Sequence, residues 1–249
     1  MGIKKWLVLC ALALSFWAVA APGFPQRVLF VGNSYFYYNN SLHNHVRGFV
    51  EAGQTNKEQK LSYKSATIGG ASLDHHPIEW LTEPGRIGVK EAFEVVILAG
   101  NSADALGDGS RQKFAATVRR FDQIIKSHGG KTALYMTPAY VPPHKKVAAD
   151  NITKIADMYT SVGREIGAEV IPVGLAFAEA YKRKPDFQLH SEYDGSHPSI
   201  AGTYLAAAVV YAKLYGVNPL GNAYDFHGKV PADVARFLQE VAWDVVTKK

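Results

Sequence analysis

The chain has 249 residues, with 27 Lys and Arg against 22 Asp and Glu and a formal charge of +5. Adjacent basic residues form nothing longer than pairs or triples such as Arg119-Arg120, Lys145-Lys146 and Lys182-Arg183-Lys184, so no basic arm for nucleic acid is expected. Cys10 is the one cysteine, which excludes an internal disulfide.

Lys4 and Lys5 precede an uncharged apolar run, Trp6 to Val19, that ends in the small residues Ala18-Val19-Ala20. This pattern predicts a secretory signal peptide over residues 1–20, a mature chain from Ala21, and a periplasmic or secreted protein. The run is short for a bilayer span, so no membrane span is expected after cleavage. Leu9 stands before Cys10 where a lipidation signal needs a small residue, so the mature chain carries no thiol and neither a cysteine nucleophile nor a thiolate metal site. The remaining residues, 21–249, suit one α/β domain in length.

Val28–Val31 is a continuous apolar run, as expected of a strand buried on both faces. Similar blocks follow at Leu61–Thr67, Val95–Leu98, Thr132–Met136 and Glu169–Val173. Between them, Arg111–His128 sets Phe114, Val118, Phe121, Ile124 and Ile125 at helical steps before Gly129-Gly130. Ala149–Gly167 repeats the pattern with Ile152, Ile155, Tyr159, Val162 and Ile166. Two more helices are predicted near Ser199–Tyr215 and Pro231–Thr247, closing one face of the sheet. Alternating strands and helices imply right-handed crossovers and a three-layer α/β/α sandwich with about five parallel strands, flavodoxin-like in plan.

The first strand runs into Gly32-Asn33-Ser34. The carboxyl end of a strand is where open α/β sheets place ligands, so Ser34 is either a nucleophile or a helix cap. Tyr193-Asp194-Gly195-Ser196-His197-Pro198 supplies what a serine nucleophile needs: an imidazole base, and a carboxylate three residues earlier that can turn back onto it. Tyr35, Phe36, Tyr37 and Tyr38 follow the serine directly, and Tyr35 and Tyr37 are candidates to stack on a sugar ring while their hydroxyls stay wet. Asp74-His75-His76 and His43-Asn44-His45 offer a competing, metal-based chemistry, although no His-Glu-x-x-His helix is present. Gly-x-Ser-x-Gly is absent, which argues against the common α/β-hydrolase plan, and Gly130-Lys131-Thr132 lacks the first glycine of a phosphate loop.

These blocks together resemble the SGNH (GDSL-type) hydrolases, and within them a bacterial, DUF4886-like branch of esterase-like members. Val31-Gly32-Asn33-Ser34-Tyr35 resembles the first block, with Asn33 where aspartate is usual. Ile68-Gly69-Gly70-Ala71-Ser72 resembles the second, and Asp194-Gly195-Ser196-His197-Pro198 the last. Leu98-Ala99-Gly100-Asn101-Ser102 falls at the third, Gly-x-Asn-Asp, but Ala99 replaces the glycine and Ser102 the aspartate. The resemblance implies a cofactor-free serine esterase in which Ser34 attacks an ester carbonyl, His197 shuttles the proton and Asp194 orients His197. It also implies an oxyanion hole from the N–H groups of Ser34 and Gly70, or Gly69 in its place, and the Asn101 amide. An exported member of this family suits a small ester or an acetylated saccharide as substrate. The altered third block keeps a second reading open, a carbohydrate-binding protein on the same fold without turnover. Metal-dependent hydrolysis is the third.

Overall fold

The computed structural model describes residues 24–53 and 60–248, so the expected signal peptide, with Cys10, lies outside the described residues. Five parallel strands, β1 (Arg27–Gly32), β2 (Ser62–Thr67), β3 (Val95–Leu98), β4 (Lys131–Tyr135) and β5 (Glu169–Ile171), form one sheet in the order β2-β1-β3-β4-β5. In register, Val31 lies beside Leu98, Leu98 beside Leu134, and Gly32 beside Thr67. The chain leaves β1 toward β2 on one side and returns to β3 on the other. The carboxyl ends of β1 and β3 therefore flank the switch point where ligands of such sheets bind.

Helices cover both faces, giving the three layers expected. On one face α2 (Leu42–Gly53), α6 (Val173–Arg183), α7 (Ile200–Tyr215) and α8 (Ala232–Thr247) share a core with alternate residues of the strands, Val28, Phe30, Val95, Ile97, Ala133 and Tyr135. On the other, α3 (Ile78–Thr82), α4 (Asp108–Ser127) and α5 (Asn151–Ile166) pack on Leu29, Val31, Val96, Leu98 and Leu134. Every residue of α7 from Gly202 to Ala212 is buried, as for a helix covered all round. It packs against α2, α6 and α8. Among the described residues no helix is long and apolar enough to cross a membrane.

Several elements depart from the sequence reading. β5 stops at Ile171 because Pro172 is the N-cap of α6, so Val173 begins a helix instead of ending a strand. α2 and α6 themselves fill segments that the sequence reading leaves without an element. α5 ends one residue early because Gly167 takes a left-handed conformation at its C-cap.

Candidate active site

Gly32 ends β1, and Asn33 caps the short helix α1 (Ser34–Tyr37), its Oδ1 accepting from the Tyr35 N–H at 3.3 Å. The Asn33 Nδ2 donates to the Gly100 carbonyl at 2.9 Å and to the Ala71 carbonyl at 3.2 Å. One buried amide thus ties together the loops after β1, β2 and β3. The His76 ring seconds it: its Nε2 donates to the Gly32 carbonyl at 2.9 Å, and burial holds the imidazole below its usual pKa and neutral.

Ser34 opens α1 and is 8 % exposed at the carboxyl end of the sheet. The loop that follows α6 brings the other two candidates to it. The Ser34 hydroxyl lies 2.8 Å from His197 Nε2, and His197 Nδ1 lies 2.6 Å from Asp194 Oδ2. Asp194 Oδ1 accepts from the backbone N–H groups of Ser196 at 2.8 Å and His197 at 3.0 Å. Burial alone would raise the Asp194 carboxyl, but these N–H groups and the His197 ring outweigh it and hold it below the usual range. An ionised Asp194 fixes the Nδ1–H tautomer, which leaves Nε2 free to accept the serine proton.

The loop reaches this geometry because Gly195 turns with a positive φ of 60° where no side chain fits: an added Cβ would lie 2.0 Å from the Val141 carbonyl. The Val141 N–H donates to the Gly195 carbonyl at 2.9 Å, the Ser191 N–H to the His197 carbonyl at 2.7 Å, and the Ser199 N–H to the Leu189 carbonyl at 2.9 Å. Ser199 then caps α7, its side chain accepting from the Gly202 N–H.

In the loop after β2, Gly70 sits at a positive φ of 68° and its carbonyl accepts from Asn101 Nδ2 at 2.9 Å. Asn101 is fixed at both other ends, its Oδ1 by the Ala103 N–H at 3.0 Å and its N–H on Asp104 Oδ2 at 2.7 Å. Burial pushes the Asp104 carboxyl up to about 6.

The structure thus gathers Ser34, His197 and Asp194 into one relay and sets Gly70 against Asn101 beside it. Tyr37 is exposed. Tyr35 departs from the expectation of a wet stacking ring: it is only 4 % exposed and its hydroxyl bonds Ser196 Oγ at 3.1 Å, because α1 points it inward under the histidine loop. Tyr38, which the sequence reading names in the aromatic run without a role, stacks on His197, and Asn39, which it does not name, bonds the loop beyond; helical spacing from Ser34 to Tyr38 is the signal for the first. The candidate metal ligands take other partners. Asp74 pairs with Lys113 at 2.9 Å, His45 bonds the Asn39 carbonyl and Tyr224, and His75 is exposed. Among the described residues no three His, Cys, Asp or Glu side chains gather to hold a metal.

No family model matches the chain, and no curated protein matches it. Solved structures do. A DUF4886 family protein from Bacteroides uniformis aligns over 88 % of this chain and 93 % of its own, with a TM-score of 0.65 and 17 % identity. An SGNH-hydrolase-like protein from Slackia heliotrinireducens aligns over 75 % and 97 %, with a TM-score of 0.60 and 22 % identity. A catalytic mutant of an acetylxylan esterase from Geobacillus stearothermophilus aligns over 78 % and 95 %, with a TM-score of 0.57 and 15 % identity. The chain has the fold of the SGNH hydrolases.

Proposed function

We propose that this protein, with its SGNH-hydrolase fold, is an exported serine esterase that acts on small carboxylic esters, acetylated saccharides foremost. The observation that carries the reading is the continuous Ser34–His197–Asp194 relay, with contacts of 2.8 and 2.6 Å, at the switch point of the sheet. Ser34 Oγ bonds the ester carbonyl carbon as His197 Nε2 takes its proton. The tetrahedral intermediate collapses as the same proton passes to the leaving alcohol; water, deprotonated in turn by His197, then attacks the acyl-enzyme, and that proton passes to Ser34 Oγ as the acid leaves.

The developing oxyanion would meet the N–H groups of Ser34 and Gly70 and the second N–H of the Asn101 amide. Asn101 Oδ1 and its backbone are already fixed by Ala103 and Asp104, so the amide is pre-oriented, and one such donor is worth about 3–4 kcal/mol in comparable sites. Tyr37, which is exposed, offers a ring face for the saccharide. The acetylxylan esterase among the fold's relatives supports the substrate class, and the charged and apolar pattern of residues 1–20 supports export.

The test is p-nitrophenyl acetate hydrolysis by the purified protein beside Ser34→Ala, with intact-mass detection of a phosphonofluoridate adduct. The variant should lose on the order of 10⁴-fold or more, far beyond what a lost helix cap costs. One adduct per wild-type chain and none on the variant is expected. A folded wild type that neither hydrolyses nor labels, yet binds a polysaccharide, overturns the esterase reading in favour of a binding protein.

A further inference from the structure

Tyr38 lies flat on the imidazole of His197, with ring centroids 4.2 Å apart and planes 7° from parallel. Tyr37 continues the stack at 5.6 Å. Two separate features hold Tyr38 there. Its backbone N–H closes α1 on the Ser34 carbonyl, so the nucleophile and this ring leave from the two ends of a single helical turn. The next three residues, Asn39, Asn40 and Ser41, all have positive φ, 51°, 71° and 65°, a region that non-glycine residues keep only where the surroundings hold them.

The holding contacts point to the base. Asn39 Nδ2 donates to the Pro198 carbonyl at 2.9 Å and to Thr203 Oγ1 at 2.8 Å, and the Asn39 carbonyl accepts from His45 Nε2 at 2.6 Å. Pro198 directly follows His197. The strained turn after Tyr38 is therefore fastened to the same loop that carries the imidazole, and the face-on stack is built from both sides.

The face of an aromatic ring is electron-rich, so it attracts a cation more than a neutral ring. His197 is neutral while it waits and cationic once it holds the serine proton. A contact that strengthens only as that charge appears lowers the barrier, whereas one equally strong before and after does not. We propose that Tyr38 is a positioning residue whose ring face stabilises the imidazolium form of His197 during acyl transfer, with Asn39 holding it in register. The proposal rests on the esterase reading for its catalytic meaning. No atom passes to Tyr38: the proton moves from Ser34 Oγ to His197 Nε2 and then to the leaving alcohol.

Of the other titratable groups, Asp194 holds the Nδ1 edge of His197 and the Tyr35 ring lies 6.0 Å from it, while His144 and His190 feel the Asp194 charge. Burial and the Asp194 charge hold the Tyr38 phenol above its usual pKa, so the ring stays neutral.

The test compares wild type with Tyr38→Leu and Tyr38→Phe, each checked by thermal unfolding, through pH profiles of kcat/KM on p-nitrophenyl acetate and through NMR titration of the His197 ring in the resting protein. Tyr38→Leu should lower kcat by about threefold to thirtyfold with little change in KM, the span for exposed to desolvated cation–ring contacts. Imidazolium that is easier to discharge moves the acid limb, and the NMR midpoint, down by about half a pH unit or more. Tyr38→Phe, which keeps the ring face, should recover most of both effects, and the downward shift should persist in a His144→Gln background. If Tyr38→Leu cannot be folded, Asn39→Ala, which frees the ring, should move both readouts the same way. A folded Tyr38→Leu with unchanged midpoint and rate overturns the proposal, as does a Tyr38→Phe as impaired as Tyr38→Leu. Absence of ester hydrolysis in the wild type would sink the esterase reading instead, and the NMR midpoints would still decide whether the stack favours the cation.

Discussion

Asn33 does what an aspartate in its place could not. Both contacts of its Nδ2 run to carbonyl oxygens, those of Gly100 and Ala71, and a carboxylate has no hydrogen to give them. Asn33→Asp, the residue usual in the hydrolases this block resembles, should therefore leave two buried acceptors facing a charge. We expect a loss of about 2–4 kcal/mol, read as a lower urea midpoint, together with a fall in esterase activity as the three loops separate. An Asn33→Asp protein as stable as wild type would show that the amide is not the tie. The serine, histidine and aspartate were readable in the sequence because their chemistry needs those residue types, and Asp194 and His197 arrive three residues apart. The part played by Asn33 was not, because its partners lie 38 and 67 residues away and are backbone atoms that carry no residue signature.

The elements differ in how plainly they announce themselves. β1, β3 and β4 were legible because both faces are buried, and that condition leaves an unbroken apolar run. α2 does carry a helical stripe, Leu42, Val46, Phe49 and Val50. His43 and His45 drew attention to metal chemistry in that segment and away from its periodicity. The loop that carries Asp194 and His197 is the element most exposed to a single change. Gly195→Ala would drive a Cβ into the Val141 carbonyl and force a positive φ on an L-residue. Its expected effect is a drop of more than 100-fold in kcat/KM, since displacement of His197 by even about 1 Å breaks the relay. Far-UV circular dichroism should stay native, because α7 and the sheet do not depend on the turn. Activity within tenfold of wild type would contradict the tight-turn account.

Over the whole molecule, buried histidines set the response to acid. Burial lowers His43 and His190 to about 4, each with one buried ring nitrogen unpartnered, and lowers His45 and His76 in the same direction. A base whose folded pKa lies below its unfolded value of about 6.5 binds fewer protons when folded. Stability is then fully present above that value and is lost as pH falls toward 4. Asp104, raised to about 6, works the opposite way, since its folded form holds the proton more tightly and favours folding as pH falls through 6. One carboxyl against four imidazoles leaves the histidines ahead even after discounting His43 for partial solvation. Urea unfolding should show a net loss of about 2 kcal/mol or more between pH 7 and pH 4.5, and equal stability at the two values would refute the balance drawn here.

Ser34 and His197 stand 163 positions apart, the first in the opening turn of the sheet and the second just ahead of its most deeply covered helix. Synthesis therefore delivers the hydroxyl early and the imidazole late, with four of the five strands made in between. A nascent chain that has already built most of its sheet still lacks the Ser34–His197 pair. On the proposed esterase reading, turnover would begin only when the segment that completes the core has also arrived, so the appearance of activity would time the end of folding rather than its start.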